Sequence, residues 1–327
     1  MNRLYPIGIQ NFEDLRCGGY IYVDKTMLLY NLVTTGKYYF LSRPRRFGKS
    51  LMLSTLDAYF SGKRELFKGL DMERLEKNWV VYPVLHMDLN TEKYDSEESL
   101  ENKIELSLKQ WEGLYGNNPD EYSLATRFEG IIRRAALKTG YKVVILIDEY
   151  DKPMLQAIGN PTLQTAYRNT LKAFYGALKS CDGFIRFAML TGVTKFGKVS
   201  IFSDLNNLRD ISMVQQYAEI SGISQRELHT YFDEDIHMLS DLLGLSFDET
   251  CEQLKTNYDG YHFCYKSEGM YNPFSLLNTF ANRQMGSYWF ETGTPTYLVE
   301  LMKLHHYKVE DLEHIITNGP VLDVSIR

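Results

Sequence analysis

Several common classes of function find no foothold in this 327-residue sequence. Its four cysteines, Cys17, Cys181, Cys251 and Cys264, are scattered. None forms Cys-x-x-Cys, so neither a zinc site nor a disulfide framework is expected. A reducing cytosol is the natural compartment for such a chain. No apolar run reaches the length that spans a bilayer, so no membrane partner is expected. Met1 to Phe12 lack a basic region followed by an apolar stretch, and no secretory signal is expected. No Gly-x-Ser-x-Gly elbow occurs, which leaves serine-hydrolase chemistry without support. None of the seven histidines has metal-ligand spacing with cysteine or acidic residues. An excess of positive charge is also missing. The net charge of −6 argues against a protein that coats nucleic acid electrostatically. Internal repeats and low-complexity tracts are absent.

What the sequence does have is one stretch with a recognisable layout. Lys37-Tyr38-Tyr39-Phe40-Leu41-Ser42 reads as an apolar strand, Arg43-Pro44-Arg45-Arg46-Phe47 as a loop, and Gly48-Lys49-Ser50-Leu51 as the start of a helix. A phosphate-binding loop has the pattern Gly-x-x-x-x-Gly-Lys-[Ser/Thr]. Its backbone N–H groups face the phosphates, its Lys reaches the β/γ-phosphates and its hydroxyl ligates Mg²⁺. Gly48, Lys49 and Ser50 fit; Arg43 stands where the leading glycine belongs. The tripeptide alone is weak evidence. The strand before it and the amphipathic helix after it (Leu51, Leu53, Leu56, Tyr59, Phe60) are the context the motif requires.

Downstream, strands alternate with helices, which predicts a parallel α/β sheet with right-handed crossovers. Strands are expected at about 38–42, 81–89, 143–147 and 184–190, with a short fifth at Ile211 to Val214 and a β-like run over Tyr20 to Thr26. Helices are expected at about 27–33, 51–61, 97–115, 122–138 and 162–180. Residues 1–20 read as irregular. After about 220 the character changes. Ser224-Gln225-Arg226-Glu227 and Ser246-Phe247-Asp248-Glu249 are capping boxes opening helices, and two more helices are expected at 273–283 and 296–304. The chain therefore divides into 1–220 and a smaller, mainly helical 221–327.

Val143 to Ile147 is a pure apolar run, as in a strand buried on both faces. It ends in Asp148-Glu149, where open α/β sheets bind ligands. In phosphoryl-transfer sites an Asp so placed holds Mg²⁺, and a Glu beside it orients the attacking water. Thr191 ends the next strand. It is either a polar sensor of the γ-phosphate or an ordinary strand-ending threonine. Arg45 and Arg46 either add positive charge against a triphosphate, or are solvated, or meet nucleic-acid phosphates. Arg186 and Arg209 are further cations, with nothing to set them above any surface arginine. Asp151 and Lys152 form a salt bridge or a helix cap. Asp24 caps a helix, in a position that also brings Lys25 or Thr26 toward a nucleotide base. Pro44 removes one N–H donor from the loop, and Arg43 lacks the conformational freedom of glycine. Both predict slow hydrolysis.

Taken in order, five segments resemble the bacterial AAA-ATPase-like family, whose members are similar to archaeal-type and STAND ATPases. They are Tyr22-Val23-Asp24-Lys25-Thr26, Ser42 to Ser50, Ile147-Asp148-Glu149-Tyr150-Asp151-Lys152-Pro153, Leu190-Thr191-Gly192-Val193-Thr194-Lys195-Phe196, and Tyr271-Asn272-Pro273-Phe274-Ser275-Leu276-Leu277. The resemblance spans about residues 4–290 and makes Arg43 a trait of the family. It implies a three-layer P-loop NTPase sandwich with strand order 5-1-4-3-2, followed by a helical or winged-helix-like region. It also implies ATP and Mg²⁺ as cofactors. Arg45 to Leu51 would hold the nucleotide, Ser50 and Asp148 the metal, and Lys49, Glu149 and Thr191 would act in catalysis. Turnover would be slow or partner-stimulated. The alternatives are a nucleotide-regulated signalling or binding module, and the ATPase part of a nucleic-acid-processing protein. Members of the family often carry a PD-(D/E)XK nuclease-like domain. Here only Glu101-Asn102-Lys103 matches its tripeptide, inside an expected helix, and 305–327 is where such a domain would begin.

Overall fold

The structure is a computed structural model, which describes residues 3–90, 92–194 and 207–289. The chain begins with α1 (Phe12–Cys17), α2 (Thr26–Thr35), β1 (Tyr38–Ser42) and α3 (Lys49–Phe60). Next come α4 (Asp71–Leu75), β2 (Val84–Asp88), α5 (Glu97–Tyr115), α6 (Leu124–Thr139) and β3 (Val143–Asp148). Then α7 (Lys152–Gln156), α8 (Pro161–Ser180) and β4 (Ile185–Gly192) follow. The remainder is β5 (Arg209–Asp210), β6 (Ile223–Ser224), α9 (Gln225–Leu243), α10 (Phe247–Tyr258), β7 (Met270–Tyr271) and α11 (Pro273–Asn282). The described residues fall into two compact units. One is drawn from 37–42 and 81–209, the other from 3–36, 43–80 and 210–289.

The first unit carries the sheet. Its strand order is β2-β3-β4-β1-β5, the expected 5-1-4-3-2 read from the other edge. The pairs β1/β4, β2/β3 and β3/β4 are all parallel. Every residue of β3 is buried, which is why its sequence shows no alternation. The covering helices bury regular apolar stripes: Leu100, Ile104 and Trp111 on α5, Phe128, Ile131 and Ile132 on α6, and Leu163, Tyr167 and Phe174 on α8. Phe128 stacks on Phe174 with centroids 4.4 Å apart and planes 12° apart, a contact worth about 1 kcal/mol beyond its area. Together the sheet and helices are a P-loop NTPase-like α/β sandwich.

The second unit packs α9, α10 and α11 around Leu228, Phe232, Ile236, Leu254, Leu276 and Phe280. Both expected capping boxes form: the Ser224 and Ser246 side chains accept from the N–H groups of Glu227 and Glu249, whose carboxylates bond back. Strands β6 and β7 make a two-stranded antiparallel ribbon.

Four expectations change. Tyr20 to Lys25 is not a strand; Ile21 and Val23 pack against the α9–α11 core instead of pairing. The stretch 1–20 holds a helix, α1, capped by the Asn11 side chain accepting from Asp14 N–H. The fifth strand is Arg209–Asp210, not Ile211 to Val214. The second is shorter than 81–89, at Val84–Asp88. The helix expected at 296–304 lies outside the described residues, as does most of the loop 192–208.

Candidate functional site

The phosphate-loop stretch belongs to the second unit. It leaves β1 after Ser42 and enters α3 at Lys49. Gly48 is the residue before the helix, with φ +85°, a left-handed conformation that side chains rarely tolerate. No atom lies within 4 Å of where a Cβ on Gly48 would stand, so the backbone angle, not crowding, demands the glycine. Lys49 and Ser50 form the first turn of α3, whose N–H groups have no partner within the helix. This is the anion-binding arrangement of a helix N-terminus. The Lys49 side chain is buried, and its ammonium donates to the carbonyls of Arg43 (3.1 Å) and Pro44 (3.2 Å). Arg46 is also left-handed, at φ +64°, a strained choice of the kind that collects at functional loops.

The loop's other residues are anchored to the region after 210, which sits in the same unit. Arg43 is 1% exposed. Its guanidinium donates to the carbonyls of Ser212 (2.8 Å) and Tyr217 (3.1 Å) and lies 3.9 Å above the Phe263 ring. Burial pulls its pKa down to about 9, which leaves it charged at neutral pH. Arg46 lies 4.0 Å above the Phe274 ring, and the Arg45 carbonyl accepts the indole N–H of Trp289 at 3.0 Å. Phe47 is fully buried among Tyr261, Phe263 and Met270. Leu51 lines an apolar cavity of about 100 Å³, together with Phe47, Gly48, Tyr22, Val23 and Ile223. An apolar cavity of about 150 Å³ holds a single aromatic ring. Lys25, another of its lining residues, forms an ion pair with Glu227 at 2.5 Å. Burial lowers the Lys25 pKa, and the Glu227 charge opposes that.

The other candidate residues lie along the carboxyl edge of the sheet, in the first unit. Register aligns Asp88 with Asp148, Ile147 with Leu190 and Ser42 with Gly192. Asp148 is 4% exposed. Its Oδ1 accepts the Thr191 hydroxyl and, at 3.0 Å, the N–H of Glu149. Glu149 has φ +52°, a strained backbone for a carboxylate residue. The next acid does different work. The Asp151 Oδ2 accepts from Val193 N–H (2.9 Å), Thr194 N–H (2.6 Å) and Thr194 Oγ1 (2.8 Å), pinning the turn after β4. A Cβ on Gly192 would stand 2.6 Å from the Tyr150 ring, so only glycine fits that approach. Asp24 accepts from Thr26 N–H and its hydroxyl, and from Asp71 N–H, tying α2 to α4.

Two contributors, Asp88 and Trp289, are not singled out by the sequence, and a third, Arg43, has another role than the sequence suggests. Asp88 sits on the edge beside Asp148; burial, then the charges of Asp148 and Glu149, push its carboxyl pKa up, against the Asn90 N–H and Lys103. Only register reveals it, since a strand expected to run on to Leu89 does not mark Asp88 as its end. Arg43 was read as a lost glycine and is a buried anchor. Trp289 carried no signal at all. No group of His, Cys, Asp and Glu with metal-site geometry occurs among the described residues. None of their helices is long and apolar enough to cross a membrane.

A parallel sheet in this order, with a Gly-Lys-Ser helix start leaving β1, defines a P-loop NTPase-like protein. The chain belongs to the AAA-ATPase-like family, described as predicted AAA-ATPases, whose model matches residues 6–202. It is 40% identical over 318 residues to an uncharacterized protein from the vnfD 5' region of Azotobacter chroococcum mcd 1. That match takes in 97% of this chain and 59% of the relative, so the chain spans about three-fifths of the relative's length. No solved structure matches the chain.

Proposed function

We propose that the protein binds Mg-ATP at the Gly48-Lys49-Ser50 helix start and hydrolyses it slowly or under stimulation by a partner. The observation that carries this reading is Gly48 at φ +85° opening α3, directly after a buried parallel strand, in a chain of a predicted ATPase family. The residues suit the cofactor: helix N–H groups and a lysine for phosphates, and the hard oxygens of Ser50 and Asp148 for Mg²⁺. Bound Mg²⁺ would neutralise charge on the β/γ-phosphates. Lys49 stabilises the same phosphates. Glu149 orients the attacking water, and Thr191 fixes the carboxylate of Asp148. Arg45 to Leu51 shape the cradle. Pro44 supplies no N–H and the Arg43 side chain is committed elsewhere, which favours slow turnover. Phosphate release lost in Lys49→Ala and in Glu149→Gln supports the reading; release that survives both sinks it.

A second reading, a nucleotide-regulated switch without significant turnover, is favoured by the anchoring of Arg43, Arg45, Arg46 and Phe47 to 212–289. In it residues 1–220 hold the nucleotide and the region after 220 responds. It predicts stabilisation by ATP with phosphate release at background. A nucleic-acid-processing role, with a nuclease-like domain beyond this chain, predicts salt-sensitive DNA binding that falls when Arg45 and Arg46 are changed.

A further inference from the structure

The chain carries two exposed apolar patches with opposite charge around them, each within one unit. The first lies at the amino edge of the sheet, where α6 ends and Tyr141 and Lys142 lead into β3. Leu137 is 76% exposed, and Leu114 and Tyr141 are exposed as well. The Lys138 ammonium joins α6 to α5 by donating to the Leu114 carbonyl at 2.7 Å. Tyr141 meets Tyr82, on the approach to β2, edge to face with centroids 5.7 Å apart. Lys138 and Lys142 are exposed, so this patch has a cationic rim in a chain of net charge −6. The second patch is on α9, whose inner stripe of Leu228, Phe232, Ile236 and Leu239 fills the helical core. Glu234, Met238, Asp241 and Leu242 follow at i, i+4, i+7 and i+8, which puts them together on another side of the helix. Met238 is 42% exposed and Leu242 59%. Glu234 and Asp241 are exposed between them. Arg3 comes within 3.9 Å of Glu234 but bonds Asp235, at 2.6 Å. From Glu227 to Leu254 the sequence has eight acidic residues and neither lysine nor arginine.

A single exposed leucine needs no explanation, but grouped apolar side chains with a charged rim mark interaction surfaces. Aromatic and methionine side chains at the centre and charges at the edge are the anatomy of a protein–protein contact. We propose that these two surfaces meet between copies of this chain. The Leu137–Tyr141 surface of one copy takes the Met238–Leu242 side of α9 of another, with Lys138 and Lys142 against Glu234 and Asp241. Charge selects this pairing, since either patch set against itself would bring like charges together. The two surfaces differ, so a pair of chains still offers one free patch of each kind, and association continues past two. The contact does not draw on nucleotide binding.

Sedimentation velocity on the full chain without nucleotide, from about 1 to about 100 µM, tests this. The average mass should climb with concentration and pass that of a pair. Raising salt from about 0.05 to about 0.5 M should weaken association about tenfold or more, because the rim charges are exposed. Leu137→Gln with Lys138→Gln, and Met238→Gln with Leu242→Gln, should each leave the chain monomeric across the range. All four positions are exposed, and circular dichroism checks that both variants fold. Mixed one to one, the two variants should associate again and stop at pairs, since each keeps the surface that the other has lost. Wild type that stays monomeric overturns the proposal. So does association that either variant retains, or a mixture of the two that stays monomeric. If a variant fails to fold, the salt series on wild type decides, and association that salt leaves unchanged overturns the proposal.

Discussion

The Arg43 guanidinium lies 3.9 Å above the centre of the Phe263 ring. The residue that replaces the loop's leading glycine is thereby a tether. Arg43→Ala would leave the carbonyls of Ser212 and Tyr217 without these donors and empty a buried volume. A loss of about 3 kcal/mol in unfolding free energy is expected by urea titration. Arg43→Lys should recover less than half, because an ammonium neither bridges both carbonyls in a plane nor stacks as a guanidinium does. A cost below about 1 kcal/mol for Arg43→Ala would mean the tether is not structural.

Lys25 and Glu227 are both largely buried. Lys25→Met should cost about 3–5 kcal/mol, since it strands the Glu227 charge. Adding Glu227→Gln should restore much of that, and a double-mutant cycle reads the coupling directly. Additive effects would show that the pair contributes nothing as a pair.

Thr191 and Glu149 should separate binding from chemistry. Glu149→Gln is expected to keep ATP-dependent stabilisation while lowering phosphate release about 100-fold or more. Thr191→Val, which strips the hydroxyl from Asp148, should lower release about tenfold and leave ATP binding close to wild type. A Thr191→Val variant with unchanged release would return Thr191 to an ordinary strand end.

The Asp88 carboxyl is raised above its ordinary value near 3.8. Just above that pH the folded chain keeps this proton longer than the unfolded chain does. Stability from this group is therefore unaffected below about 3.8 and falls as pH rises through the window up to its folded pKa. Asp88→Asn removes that fall. Denaturation across acidic pH, with chelator present, should show the variant gaining on wild type as pH rises through the window. A gap that stays constant with pH would contradict the assignment.

Legibility followed the physics of each segment. β3 is a near-continuous apolar run buried on both faces and β1 is close to one, β4 is broken only by Arg186, and β2 shows instead the alternation of a half-buried strand. Asp148, Glu149 and Thr191 were visible because they interrupt or end such runs. Arg209–Asp210 was not, because a two-residue pairing of charged side chains has no apolar pattern. Ile21 and Val23 alternate like a strand, yet their apolar side chains serve a helical core. The loop arginines were the largest gap. Charge alone does not distinguish a guanidinium aimed at phosphate from one stacked on Phe263 or Phe274, and those rings lie more than two hundred residues away in sequence.

The central claim is that Gly48-Lys49-Ser50 is a working nucleotide cradle, and thermal unfolding with Mg-ATP tests it most directly. At a hundredfold excess of ligand over its dissociation constant, binding adds about 2.7 kcal/mol, a rise of about 4 °C in melting temperature for a chain of this size. Wild type should show that rise, and Lys49→Ala, unfolding at a similar temperature without ligand, should lose it. Equal shifts in the two proteins, or none in wild type, would contradict the account.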